Sequence, residues 1–243
     1  MLTIKVNPLY VEVSVYQLKS LKDESKNLER KRDYVDEGGK RARQKVIDYA
    51  LNNDWDFFFT ITFDRKKVDR YSFDDSVREV LNYFWYLKQY NGRYIKYLLV
   101  PEPHKRVRKE DGKQAIHCHG LIKLDSFTID EFEYIERRGD AMVYEWNDIS
   151  ERFGRSEFVK LYNGSEFVGY YISKYISKAL SIKISNHRYF KSNGLEGSDV
   201  ISCIDDEKFL GLGIFPDYVG QFSTRYRLTH EQYELLKSKN IFD

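Results

Sequence analysis

The chain has 243 residues, of which 42% are hydrophobic, 32% charged and 16% aromatic, the profile of a globular protein with a sizeable core rather than a disordered or low-complexity one. A formal charge of only +2 excludes a polybasic nucleic-acid coat, so any nucleic-acid site must come from local clustering. Two cysteines, Cys118 and Cys203, cannot build a disulfide framework or a zinc finger, and neither a membrane-spanning apolar run nor a signal peptide is visible, so a cytoplasmic protein is expected.

From the start of the chain, Thr3 to Gln17 alternates loosely and reads as one or two strands. The densely charged stretch from Lys19 to Arg43 reads as a solvated helix broken at Gly38-Gly39. A further helix is predicted from Lys40 to about Asn52, with Val46, Ile47 and Ala50 inward. Trp55 to Phe63 is a strand. Trp55, Phe57, Phe59, Ile61 and Phe63 are expected on one face, and Asp56, Phe58, Thr60 and Thr62 on the other. Ser72 can cap a helix reaching about Tyr90 on an apolar stripe of Val77, Val80, Leu81, Phe84 and Leu87. Strands at Tyr94–Glu102 and Ala115–Leu124 make a hairpin whose long loop, Pro103 to Gln114, is basic. Thr128 to Arg138 reads as a short helix, Glu157 to Tyr162 as a strand and Ser165 to Ala179 as a helix. The glycine-dotted remainder ends in a helix near His230 to Lys239. This order argues for an α+β fold around a central antiparallel sheet.

Chemistry concentrates at Ile116-His117-Cys118-His119-Gly120. On a strand, His117 and His119 project from one face while Ile116, Cys118, Ile122 and Leu124 project from the other, into the core. Two neutral imidazoles side by side can chelate a divalent cation. On its own a His-x-His pattern is a weak motif, equally suited to a solvated strand. Glu102 adds weight: it ends the strand that should pair with the histidine strand and shares a face with Leu98 and Val100. One carboxylate and two imidazoles, with positions left open, suit Mg²⁺ or Mn²⁺ acting on phosphate. His104 is the alternative third ligand; Glu102 is preferred because it lies at the strand end. Farther on, Tyr171 and Tyr175 stand four apart on one predicted helix face, and Lys174 and Lys178 each follow a tyrosine by three. An ammonium beside a phenol, whose ordinary pKa is about 10, favours its attack as phenolate.

In this order the three elements resemble the motifs of the HUH endonuclease superfamily, specifically rolling-circle replication initiators of the two-tyrosine phage and plasmid type. Phe59-Thr60-Ile61-Thr62-Phe63 is similar to the first motif, Ile116-His117-Cys118-His119-Gly120 to the second, with cysteine in the hydrophobic slot, and Tyr171-Ile172-Ser173-Lys174-Tyr175 to the third. The resemblance covers roughly Trp55 to Leu180. It implies a Rep-type nuclease fold with a sheet of about five strands and packed helices. It also implies a site-specific single-strand endonuclease and strand transferase that nicks a replication origin through a 5′-phosphotyrosine. Metal ligands would be His117, His119 and Glu102. Tyr171 and Tyr175 would be catalytic, in an order the sequence leaves open, with Lys174 beside them. DNA contacts would come from Thr60, Thr62, Lys105, Arg106, Arg108 and Lys178.

The domain organisation expected is an accessory part over 1–52, an endonuclease core over 53–182 and an extension over 183–243 packed on the core. Implied partners are single-stranded or hairpin origin DNA and a host helicase and polymerase, in a bacterial cell carrying a phage or plasmid. No G-x-x-x-x-G-K-[ST] pattern is present, so duplex opening falls to supercoiling or that helicase. A relaxase or transposase of the same superfamily is the nearest alternative. A non-catalytic nucleic-acid-binding protein, using the basic loop and aromatic rings without metal, is the alternative from another class.

Overall fold

The computed structural model describes residues 2–16, 37–110, 112–125, 127–162, 187–203, 206–220 and 223–242. The chain is α+β and divides into two units, Val35–Glu196 and the combination of Met1–Tyr34 with Gly197–Asp243. The second combination joins both ends of the chain, which the sequence pattern assigns to separate segments. Its described residues form an antiparallel sheet from β1 (Leu2–Val6), β2 (Val11–Tyr16), β10 (Asp199–Cys203), β11 (Tyr218–Val219) and β12 (Ser223–Leu228), in the order β10-β1-β2-β12-β11. Leu2, Ile4, Val11, Val13, Tyr226 and Leu228 from these strands bury together with Phe209 and Tyr233. Those two rings come from α4 (Glu207–Leu210) and α5 (His230–Ser238). The terminal helix starts as its sequence predicts. Thr229 accepts from the Gln232 N–H while the Gln232 side chain accepts from the Thr229 N–H, a reciprocal cap worth about 0.5–2 kcal/mol.

The larger unit carries the remaining elements. These are α1 (Glu37–Leu51), β3 (Phe57–Phe63), a π-helical turn at Asp74–Arg78 leading into α2 (Glu79–Tyr90), β4 (Ile95–Val107), β5 (Gln114–Leu124), β6 (Phe132–Arg138), β7 (Ala141–Trp146), α3 (Asn147–Phe153), β8 (Gly154–Lys160) and β9 (Phe190–Lys191). Its described strands make one antiparallel sheet in the order β6-β7-β8-β3-β5-β4-β9, seven strands where about five were expected. Neighbouring strands β3, β5 and β4 carry Phe59–Phe63, Ile116–Gly120 and Glu102 respectively.

Strict alternation along β3 builds two cores. Phe57, Phe59, Ile61 and Phe63 face the larger one, with Cys118 and Ile122 of β5, Leu99 of β4 and Val80, Tyr83, Phe84 and Leu87 of α2. Phe58 faces the smaller one, with Val46 and Ala50 of α1, Leu98, Val100, Leu121 and Leu195. Trp55 belongs to this smaller core, not to the Phe57 face. The strand opens only at Phe57, and the Trp55 indole instead donates to the Ala50 carbonyl at 3.0 Å. Gly120 permits a close approach between β3, β4 and β5. A Cβ there would stand 2.3 Å from the Leu98 carbonyl oxygen and 2.6 Å from the Phe59 ring, so that ring occupies the space a side chain would need.

Two other expectations are corrected. Thr128–Arg138 holds only a 3₁₀ turn, Ile129–Glu131, before β6, because pairing with β7 and stacking of Phe132 on Phe57 at 5.2 Å override the helix-favouring Glu and Arg residues. The basic segment after Glu102 is mostly strand: β4 pairs with β5 as far as Val107, with a register shift after Pro103. Among the described residues no strand pairs with the outer side of β4 beyond Leu99. Pro101 and Pro103 fit that edge, where a missing N–H costs nothing. The hairpin turn itself is short, closed by Arg108 N–H to the Lys113 carbonyl at 2.8 Å.

Candidate functional site

The smaller core fills only part of its sheet face. The register across four strands defines the remainder. Phe58 stands opposite Leu121, and Leu121 opposite Leu98. One step on, Glu157, Thr60, His119 and Val100 form a row, and one step further Arg155, Thr62, His117 and Glu102 form the next. Paired antiparallel residues present side chains to the same face. The face is therefore apolar under α1 and becomes a band of imidazoles, hydroxyls and charges beyond it.

Within that band the histidines are held from behind. The Thr60 hydroxyl lies 3.0 Å from Nδ1 of His119, and the Thr62 hydroxyl 3.3 Å from Nδ1 of His117. At His117 a hydroxyl accepting Nδ1–H leaves Nε2 with the lone pair a metal ligand needs, whereas at His119 the Nε2 that meets Glu102 carries a hydrogen and donates it. Phe58 stacks its ring parallel to His119 at 6.2 Å, at an interplanar angle of 15°. The His119 Nε2 is 3.0 Å from a carboxylate oxygen of Glu102, with the two side chains 13% and 20% exposed, so this contact is shielded from water. His117 sits opposite Glu102 in the strand register. Burial, followed by the neighbouring imidazoles of His104 and His119 and the Arg70 guanidinium, pulls the pKa of His117 down to about 4, against the opposing pull of Glu102. His117 is thus a neutral imidazole at physiological pH.

The alternative third ligand, His104, stacks on His117 with ring centroids 5.0 Å apart. Its Nδ1 accepts the Arg106 backbone N–H at 3.1 Å. A neutral ring accepting there carries its proton on Nε2, so that nitrogen is not poised to ligate. Glu102 fits better. Among the described residues no group of three or more His, Cys, Asp or Glu side chains is arranged to hold a metal ion as it stands. In its place the Glu102 carboxylate closes directly on His119. The donor types suit a divalent cation: two imidazoles with Nδ1 engaged elsewhere, and one carboxylate that contacts His119 and stands opposite His117 in the strand register.

The run of cations that directly follows β3 does not reach this band. Arg65, Lys66 and Lys67 are exposed, and the Lys67 ammonium donates to the Ser150 carbonyl at 2.6 Å. The same connection instead turns Arg70 toward the histidines. The Arg70 carbonyl accepts the Ile116 N–H at 2.8 Å, and its Nε is buried without a hydrogen-bond partner among the described residues. Tyr71 beside it lies under two guanidiniums, Arg70 at 5.3 Å and Arg108 at 4.2 Å. Nothing in the local sequence distinguishes Arg70 from its neighbours, since only the closure of the connection onto β5 brings it in. Lys105 and Arg106 are exposed on the far part of β4. Arg155 and Arg138 flank Glu157 at 2.7 Å and 2.8 Å. The expected tyrosine helix, with Tyr171, Lys174, Tyr175 and Lys178, lies outside the described residues.

Comparison of the chain with protein-family models, with curated proteins and with solved structures finds no match in any of the three. Among the described residues no helix is long and apolar enough to cross a membrane.

Proposed function

We propose that the chain is a metal-dependent single-strand DNA endonuclease and strand transferase that cuts with tyrosine and initiates rolling-circle replication, with the corresponding HUH/Rep-type fold. The observation that carries this reading is the pair His117 and His119 on the polar end of one sheet face, each backed by a threonine of β3, with Glu102 in register beside them. Paired threonines, paired histidines and a carboxylate have no packing reason to coincide on three adjacent strands.

His117 and His119 would hold Mg²⁺ or Mn²⁺ through Nε2, with Glu102 exchanging its hydrogen bond to His119 for the ion. When bound, the ion supplies Lewis-acid charge to the scissile phosphate. Thr60 and Thr62 keep both rings oriented. Arg70 adds positive charge near His117, and its buried Nε has no hydrogen-bond partner among the described residues. Tyr171 or Tyr175 would attack in line. The phenol oxygen bonds to phosphorus, the bond to the 3′ oxygen breaks, and that oxygen leaves as a hydroxyl after taking a proton. Lys174 favours loss of the phenol proton. The second tyrosine can repeat the transfer and rejoin the ends.

The test is incubation of the purified protein with single-stranded DNA spanning candidate origins of its own replicon, with Mn²⁺, before separation on a denaturing gel. The expected result is a covalent protein–DNA adduct that disappears with chelator, with His117→Ala and with the double change Tyr171→Phe, Tyr175→Phe. DNA binding without any adduct across all candidate origins would overturn the reading in favour of a non-catalytic binder.

A further inference from the structure

Helix α2 has a second face that the fold does not use. Val80, Tyr83, Phe84 and Leu87 are buried against the sheet, on the face opposite the histidines. Trp85, Tyr86 and Tyr90 point the other way and are 57%, 45% and 68% exposed. They form a cluster: Tyr86 stacks on Tyr90 with centroids 5.2 Å apart, and Trp85 meets the Tyr90 ring edge-on at 5.9 Å. Exposing three large rings in contact is costly for a protein surface unless something covers them.

The surrounding charge says what covers them. Between Glu79 and Glu102 the chain has no acidic residue, whereas it carries Lys88, Arg93 and Lys96. The Lys88 and Lys96 ammoniums flank the exposed Tyr94 ring at 5.6 Å and 6.0 Å. Carboxylates stand at the border: Arg93 holds Glu131 at 2.6 Å, the Asp125 backbone meets Tyr94, and on the Tyr86 side Asp69, Asp75 and Glu79 share a pocket with Lys67 and Arg152. Flat rings with open faces, next to ammoniums that lack carboxylate partners in the same segment, match the two needs of an unpaired nucleotide strand: a stacking surface for bases and cations for phosphates. A protein surface seeking an apolar partner would have no use for the cations.

We propose that the exposed face of α2, through Trp85, Tyr86 and Tyr90 with Lys88 and Lys96, is a second binding surface for single-stranded nucleic acid, independent of sequence and separate from the histidine site. It does not depend on the phosphoryl-transfer reading, because a chain that bound strands here without cutting would satisfy it equally.

The molecule contains its own reporter. Of the three tryptophans, Trp55 and Trp146 are buried and Trp85 is exposed. The full chain is titrated with a thymidine oligonucleotide in chelator, so that no metal-dependent cutting occurs, while tryptophan emission and its quenching by iodide are monitored. Expected are quenched emission and loss of iodide access at saturation. Trp85→Ala and Tyr90→Ala should each weaken binding by about tenfold or more. Lys88→Ala with Lys96→Ala should flatten the log–log salt dependence by about 1.4, at about 0.7 per phosphate contact. Unchanged emission and iodide access at saturating oligonucleotide would overturn the proposal, as would wild-type affinity in the Trp85→Ala and Tyr90→Ala variants. So would a change in Trp85 emission that tracks protein concentration and ignores oligonucleotide, which would mean the rings pack on a second copy. A responsive Trp85 in a protein that forms no adduct would retain this surface and remove the nuclease reading, and a silent Trp85 in a protein that does form one would do the reverse.

Discussion

The two faces of the seven-stranded sheet are made from alternate residues of the same three central strands, yet they do unlike things. Phe59, Ile61, Cys118 and Ile122 face α2 and are fully buried. Thr60, Thr62, His117 and His119, their immediate neighbours in sequence, are half-buried and bonded to one another. The comparison teaches how a fold can hold a polar cluster rigidly. One face supplies the packing energy and fixes strand register, and register then places each imidazole opposite its threonine without further cost. The fully buried thiol of Cys118 illustrates the separation: burial pushes its pKa far up, so it is an inert packing group between two candidate ligands.

The comparison can be broken or sharpened by substitution. The largest effect is expected on the packing face. Phe59→Ala should cost about 3–5 kcal/mol in chemical denaturation, and a cost below ~1 kcal/mol would show that this face does not carry the stability. On the polar face, Thr60→Val removes the hydroxyl behind His119. Mn²⁺ affinity measured by calorimetry should fall about 10–100-fold, as for other partners standing behind metal ligands, with stability changed by less than ~1 kcal/mol. Unaltered affinity would separate Thr60 from the site. The smallest effect lies at the rim. The Arg138 guanidinium, by hydrogen bond, holds the Glu157 carboxyl below its ordinary range. A carboxyl with a lowered folded pKa binds fewer protons than in the unfolded chain. Its contribution is therefore complete above the unfolded value of about 4.3 and fades as pH falls through the folded one. Glu157→Gln should thus cost up to ~1 kcal/mol at neutral pH and progressively less in acid. A cost that stays constant through the acid range would mean that the pair does not act through charge.

How much of this is legible in the sequence depends on the range of the signal. The alternation of β3 and β5 is local, and it assigns Thr60, Thr62, His117 and His119 to one face correctly. The α1 stripe through Val46 and Ala50 and the terminal helix are likewise legible from spacing and caps. Elements set by distant partners are not. β6 carries helix-favouring Glu and Arg residues and is a strand only because β7 pairs with it, and β7 and α3 leave no periodic pattern to read. The extension of β4 is hidden by two prolines and a run of cations that suit an edge strand as well as a loop. Arg70 reaches the histidines through a backbone contact with Ile116 that composition cannot encode. The choice of Glu102 over His104 rests in the sequence on strand position alone; contacts such as that of the Arg106 N–H with His104 Nδ1 are not visible there.

The sheet that unites the chain ends also sets a timetable. β2 pairs Val11 with Leu228 and Tyr16 with Ser223. During synthesis β1 and β2 emerge well before their partners β10 and β12. At about 5–20 residues per second, the roughly 200 intervening residues take ~10–40 s to emerge. For that interval the apolar residues Leu2, Ile4, Val11 and Val13 have no sheet to join, whereas Val35–Glu196 can fold as it appears. The β1–β2 hairpin therefore spends that interval with both outer edges open, a sticky surface until the distant strands arrive.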